Sequence, residues 1–358
     1  MTEQHSDQLV PAAAADTCTI LALYKFISPK WDDTHVKNLR VELETFLRRR
    51  GVLGNLLLGT EGINGTVCYV TGVYSRNSNQ EHAAKDDDAN DDPVHQFFSD
   101  KFPGIRLRLS YHDKQVFRRL RIRIKKEIVT LGVDDEQFHV DPCNKVGTYV
   151  PPGQEWHELI QDPNTLVIDT RNDYEVRLGT FQNAVNPGTT SFTEFPSWFQ
   201  RQIERNRPTK VAMFCTGGIR CEKATSFCLS HPAVVDAGVP VYHLEGGILA
   251  YLSSVPESES LWRGECFVFD QRTAVGHGLK PSTKYTLCRA CRHPLDATDR
   301  ESSDFREGIA CPYCVHQQDK EQRRQRYEER QKQYELSKHT SIPHLHDGKL
   351  AKALTQTN

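Results

Sequence analysis

The segment Val211–Arg220, VAMFCTGGIR, leaves little freedom for the fold around it. Val211–Phe214 is a short apolar run bounded by turn signals, the form of a buried parallel strand, and Cys221–Leu229 reads as the helix that follows. A strand, a Gly-Gly loop and a helix in such close succession belong to an α/β layer in which strands and helices alternate. Cys215 then lies at the carboxyl end of a strand and beside a helix N-terminus. Ligands gather at such strand ends, and unpaired N–H groups there favour anions. A thiolate is stabilised in that place. Gly217 and Gly218 let the backbone curl so that several amides point at one centre, and Arg220 adds a full positive charge. A cysteine after a strand is commonly just a small buried hydrophobe. The Gly-Gly pair and Arg220 favour a reactive one.

Alternating strand and helix signals continue on both sides, so a central parallel-sheet domain is expected over residues 150–262, with Leu166–Asp169 and Val241–Leu244 as further strands. At 358 residues the chain is long enough for two or three domains. The block 17–132 opens on a β-rich run, TILALYKFIS, and continues into a helix with Val36, Leu39, Leu43, Phe46 and Leu47 at helical spacing, closed by Gly51. Asn55–Leu58, Glu61-Gly-Ile-Asn-Gly65 and Thr66–Val70 read as strand, turn and strand. Val94–Phe102 reads as a short helix, and Gln115–Thr130 as an extended strand or hairpin. Together these predict an α+β domain of ferredoxin-like or acylphosphatase-like form. Residues 75–93, SRNSNQEHAAKDDDANDDP, are acidic and nearly free of large apolar side chains, and are expected to be a flexible insertion.

The 11 cysteines are odd in number, in a long chain without signal-peptide features, which points to thiols, ligands or a nucleophile and away from disulfides. Cys288-x2-Cys291 and Cys311-x2-Cys314 are separated by 19 residues, the spacing of two knuckles that hold one zinc ion in a four-thiolate site. Such a saturated site is structural, and His293 and His316 are superfluous to it. The C-terminal zinc-binding segment is expected over 263–345, with Asp319–Lys338 as a charged, solvated helix.

Four residues separate Cys215 from Arg220, one fewer than in the phosphate-encircling loop of cysteine phosphatases, so the loop suits a smaller, sulfur-sized centre. It resembles the rhodanese loop, and Val167-Ile-Asp-Thr-Arg171…Tyr174-Glu175…Gly179-Thr-Phe and Leu244-Glu-Gly-Gly247 resemble the flanking rhodanese signatures. The longer string Cys215-Thr-Gly-Gly-Ile-Arg-Cys-Glu-Lys-Ala224, together with Glu61-Gly-Ile-Asn-Gly-Thr66 and Gly264-Glu-Cys-Phe-Val-Phe-Asp270, is similar to the rhodanese-domain tRNA uridine hydroxylase family. The resemblance implies oxygen-dependent hydroxylation of a wobble uridine to 5-hydroxyuridine, with molecular oxygen as cosubstrate, tRNA as partner and Cys215 essential. Carried onto this sequence, Cys215 and Arg220 are the catalytic candidates, and Thr216, Gly217, Gly218 and Ile219 complete the loop. Thiolate attack on a pyrimidine carbon and formation of an oxidised sulfur intermediate both fit. Asp169, Arg171 and Cys221 are expected as supporting residues, the first two equally well as an ion pair that fixes the fold. Glu222 is a candidate helix cap.

In Phe117-Arg-Arg-Leu-Arg-Ile-Arg-Ile-Lys-Lys126, apolar Leu120, Ile122 and Ile124 alternate with Arg119, Arg121, Arg123 and Lys125. That period places positive charge on one face, suited to RNA phosphates or to a solvated sheet face, with Phe117 or Tyr111 available for stacking. A net charge of -2 excludes a uniformly basic chain but not this local stripe. No apolar run is long enough for a membrane span, and the N-terminus has no targeting features. A cytoplasmic enzyme with no membrane contact and no obligate protein partner is therefore expected. The rival readings are a sulfurtransferase carrying a persulfide on Cys215 and a non-enzymatic zinc-containing RNA-binding module.

Overall fold

The computed structural model describes residues 17–70, 92–133, 138, 140–317 and 319–339, in two compact units divided between Ser282 and Thr283. Most of the acidic insertion expected at 75–93 lies outside the described residues. Its last two residues do not belong to it: Asp92 caps a helix by accepting from the backbone N–H groups of Val94 and His95, and Pro93 begins that helix.

The first layer is built from β1 (Cys18–Phe26), α1 (Asp33–Arg49), β2 (Leu53–Gly59), β3 (Gly62–Val70), α2 (Pro93–Lys101), β4 (Arg106–His112) and β5 (Leu120–Ile124). The sheet order is β4-β1-β3-β2-β5, antiparallel except for β2 with β5. Both helices cover one face. Val36, Leu39, Leu43 and Leu47 of α1 are buried against Leu21, Leu23, Leu56 and Leu58 of the sheet, and truncating any one of these leucines to alanine would cost about 2–5 kcal/mol. Gln115–Thr130 is not a hairpin: only Leu120–Ile124 is strand, because its parallel partner β2 ends at Gly59. The Glu61–Gly65 motif is also mostly strand. Gly62 has φ of 141°, and a Cβ on it would collide with the Lys25 carbonyl across the sheet, so close strand approach requires that glycine.

The second layer comprises β6 (Thr148–Val150), α3 (Gln154–Gln161), β7 (Thr165–Asp169), α4 (Asp173–Val176), β8 (Gly179–Phe181), α5 (Phe195–Asn206), β9 (Lys210–Phe214), α6 (Ile219–Ser230), α7 (Pro232–Val235), β10 (Val241–Leu244) and α8 (Gly247–Ser254). Strands β6, β10, β9 and β7 form a wholly parallel sheet in that order. One side of its core is aromatic: Phe181 meets Phe214, Tyr251 and Trp262 edge-on, with ring centroids 4.7–5.1 Å apart. The stretch after residue 263 was expected with the C-terminal segment, yet Cys266, Val268 and Val275 are buried in this core, and β11 (Trp262–Gly264) pairs with β8. Apolar burial, not proximity to the cysteine knuckles, decides where it belongs.

The face of the N-terminal sheet opposite its helices, carrying Cys18, Ile20 and Cys68, is covered by Val116 and Phe117. The same face meets the rhodanese-like layer: the Val116 carbonyl accepts from the Gln271 amide, and Ser110 accepts from Arg272. Among the described residues no helix is long and apolar enough to cross a membrane.

Candidate active site

Cys215 follows β9 directly and is buried. Its Sγ accepts from the Gly218 N–H at 3.1 Å. Helix α6 begins at Ile219, two residues earlier than expected, so Ile219 and Arg220 belong to its first turn and not to the loop. The N-terminal partial charge is therefore brought closer to the sulfur. Gly218 adopts φ of 104°, which only glycine takes without strain. The Cys215 and Thr216 carbonyls accept from the amides of Ile248 and Leu249 at the start of α8, so the first half of the loop is held. Burial opposes ionisation of Cys215, but the Cys221 thiol, the Arg220 charge and the amides of Cys221 and Gly218 overcome it and bring the thiol down to about 6. Burial and the same contact push Cys221 well up, so the two thiols divide into one thiolate and one thiol. Thr170 Oγ1 lies 3.6 Å from the Cys221 sulfur.

Arg220 is not free to grip a ligand with both prongs. Its Nη1 and Nη2 bond both oxygens of Glu175 at 2.7 and 2.8 Å, and Nη2 also reaches Thr216 Oγ1 at 3.3 Å. Both partners are buried. Glu175 was within a recognised motif but had no expected role. Its carboxyl is pushed up by burial and pulled further down by Arg220, to a net value below the ordinary one.

Asp169 and Arg171 form a fully buried bidentate pair at 2.6 and 2.8 Å. Arg171 also donates to the Gly179 carbonyl at 2.6 Å, and Thr180 donates to Asp169 at 2.9 Å. This pair ties β7 to β8 and has no bond to Cys215.

Three consecutive residues of α6 face three different neighbours. Cys221 contacts Cys215. Glu222 is no cap: its Oε1 accepts from Tyr24 at 2.8 Å and Tyr149 at 2.9 Å. Burial raises its carboxyl. Lys223 is buried and donates to Glu61 at 2.8 Å, to Glu127 at 2.5 Å and to the Val129 carbonyl at 2.9 Å. The carboxylates in turn accept backbone N–H groups, Glu61 from Ile128 and Glu127 from Leu131 and Gly132. Tyr24, Tyr149, Lys223, Glu61 and Glu127 had no assigned role in the sequence. One signal was present: in Cys221-Glu-Lys-Ala-Thr-Ser-Phe227 only Glu222 and Lys223 are charged, and a buried charge has to find a partner.

On β5 and its flanks, Arg119, Arg121, Arg123 and Lys125 are exposed while Leu120 and Ile122 are buried. Ile124 breaks the alternation at 41% exposure. Phe117 is buried and unavailable for stacking, and exposed Tyr111 stands on β4, at the opposite edge of the sheet from β5.

In the second unit Cys288, Cys291, Cys311 and Cys314 place their Sγ atoms within 4.8 Å of one another. A tetrahedron with metal–sulfur bonds of about 2.3 Å has edges of about 3.8 Å. Cys291 to Cys311 and Cys311 to Cys314 are each 3.7 Å, so the donor set fits a tetrahedral metal ion. His293 is stacked on Tyr313 at 3.7 Å.

Residues 18–128 match the UPF0176 acylphosphatase like domain, and residues 153–254 the Rhodanese-like domain. A curated protein of Acaryochloris marina named tRNA uridine(34) hydroxylase is 44% identical over 91% of this chain and 95% of its own length. One of Mesorhizobium japonicum with the same name is 44% identical over 92% of this chain and 96% of its own. The solved BH2092 protein of Bacillus halodurans aligns with 25% of this chain and 59% of its own at 18% identity, with a TM-score of 0.19. An acylphosphatase-like sheet, a rhodanese loop and identity sustained over nine-tenths of the chain lead to one conclusion: the chain belongs to the tRNA uridine(34) hydroxylase family.

Proposed function

We propose that this protein hydroxylates C5 of the wobble uridine of tRNA, giving 5-hydroxyuridine, with molecular oxygen as the source of the added atom, its second oxygen leaving as water with two electrons and two protons from an external reductant, and Cys215 as the reacting thiolate. The observation that carries the reading is the state of Cys215: a buried sulfur brought down to about 6 by amides, a neighbouring thiol and a guanidinium. At neutral pH it is an anion, the form in which sulfur is both nucleophilic and oxidisable. Arg220 is a positioning residue in this reading. Fixed by Glu175, it braces Thr216 and supplies charge without blocking the sulfur.

Exposed Arg119, Arg121, Arg123 and Lys125 supply phosphate contacts to tRNA in the cytoplasm, where they add affinity and salt dependence without sequence choice. Arg121→Glu with Arg123→Glu should then lower tRNA affinity at least tenfold at low salt; unchanged affinity assigns the stripe to solvent. The four-cysteine site holds zinc structurally, because four thiolates leave no open position for substrate.

Mass spectrometry of tRNA nucleosides from cells lacking the protein tests the reaction. Loss of 5-hydroxyuridine derivatives, restored by the wild type and not by Cys215→Ser, is the expected result. Unchanged 5-hydroxyuridine with fewer thiolated nucleosides would assign Cys215 to sulfur transfer instead.

A further inference from the structure

Strands β1 and β4 run antiparallel with Tyr24 opposite Arg106 and Ala22 opposite Arg108. Side chains two residues apart share a sheet face, so Tyr24, Arg106 and Arg108 lie on the face that meets the rhodanese-like layer. The Tyr24 hydroxyl gives its hydrogen to Glu222, and a Cβ built on Gly218 would lie 2.8 Å from it. Arg106 stacks over Tyr149 at 4.8 Å and pairs with Glu245 at 3.3 Å.

Arg108 is different. It is half-buried, and its Nη2 lies against Gly246 where a Cβ would have to go. Among the described residues no carboxylate, carbonyl or hydroxyl accepts from its guanidinium. Glu245, whose charge reaches it, is held by Arg106. Burial pulls Arg108 below its ordinary value, the mark of a cation short of both solvent and counter-charge. Gly246 Cα is 3.8 Å from the Cβ position on Gly218, and the Gly218 N–H is the donor to Cys215 Sγ. The unsatisfied fork therefore stands at the rim of the thiolate's loop. The loop itself is open at Gly217, where an added Cβ would meet nothing within 4 Å.

We propose that Arg108 is a phosphate-binding residue of the active site, taking a phosphodiester of single-stranded RNA next to the nucleotide whose base is presented to Cys215. The proposal rests on the RNA-modifying reading above and adds to it. A planar guanidinium with free donors matches phosphate two bonds at a time. A base that must reach a buried sulfur has to be turned out of its neighbours, and a clamp on the adjoining phosphate fixes that pose. Unlike the exposed stripe on β5, Arg108 contributes at the reaction centre.

Protection of Cys215 from iodoacetamide in the full chain, read by mass spectrometry, provides the test. The probe is an anticodon stem-loop RNA with uridine at the wobble position. In the wild type the RNA slows alkylation. Arg108→Ala should raise the RNA concentration needed for half-protection at least tenfold and reduce the salt dependence by about one single-strand contact, roughly 0.7 in log–log slope. Arg108→Lys keeps the charge without the fork and should fall between; should Arg108→Ala not fold, the lysine variant must still weaken protection. Without RNA, all three proteins should be alkylated at the same rate. Full protection in both variants overturns the assignment of Arg108 and leaves the RNA reading standing. A changed alkylation rate without RNA also overturns it, since Arg108 would then serve the sulfur. Protection of the wild type by thiosulfate, and none by RNA, overturns this proposal and the hydroxylase reading together.

Discussion

Cys215 and its immediate partners define what a single residue has to do here. The thiol at about 6 predicts a pH profile. Iodoacetamide alkylation of Cys215 should rise with a midpoint near pH 6 and level off by neutrality, whereas an ordinary thiol reaches its midpoint near about 8.5. A midpoint above 8 would remove the basis for a thiolate mechanism. Glu175 permits a stability prediction. Its lowered carboxyl contributes stability that is complete above the unfolded value of about 4.3 and is lost as pH falls through the lower folded value. Glu175→Gln should remove that acid transition and, by leaving the Arg220 charge buried without its partner, cost about 3–5 kcal/mol in urea unfolding. The cysteine loop was legible in sequence because it is six contiguous residues between a strand and a helix. Its supports were not. Tyr24 and Glu222 are 198 positions apart, and Lys223 and Glu61 are 162. No local pattern links residues that meet only when one sheet docks on another layer.

At the scale of elements, α6 is the part on which the molecule turns. Its first residues hold the loop, and the next two engage the N-terminal layer. Lys223→Met keeps the helix propensity and the bulk but strands the Glu61 and Glu127 carboxylates with no shared cation. Unfolding free energy should fall by about 3–5 kcal/mol, measured in urea. A loss under about 1 kcal/mol would show that both carboxylates re-solvate freely. Element type followed well from apolar periodicity: α1, β7, β9 and β10 formed where the apolar spacing placed them. The misjudged elements share a cause. Gln115–Thr130 looked like a continuous strand because charge alternates along it, but pairing, not alternation, ends a strand, and β2 runs out first. Glu61–Gly65 looked like a turn because it carries two glycines, and those glycines serve strand contact instead.

For the whole molecule, the division at Ser282 separates a large unit held by apolar burial from a small one whose core centres on four cysteines. The small unit has little else to bury, so metal should be a condition of its folding. Metal analysis of the purified protein should give about one zinc per chain; less than about half would count against a four-thiolate site. Chelation should then expose the amides after residue 283 to hydrogen exchange and leave those of the rhodanese-like layer protected. Exchange rising equally in both units would mean that they unfold together. That the four cysteines come together was legible because the two Cys-x2-Cys knuckles are written in spacing. The reach of the apolar core to Val275 and Leu279 was not, since short runs such as Cys266–Val268 carry no periodicity.

The alliance of Lys223 with Glu61 and Glu127, and of Glu222 with Tyr24, sets a limit on modularity. Rhodanese layers are easily imagined as cassettes that shuffle among proteins. In this chain, cutting it out would bare the Lys223 ammonium and the Glu222 carboxyl, both buried and bonded to the N-terminal layer.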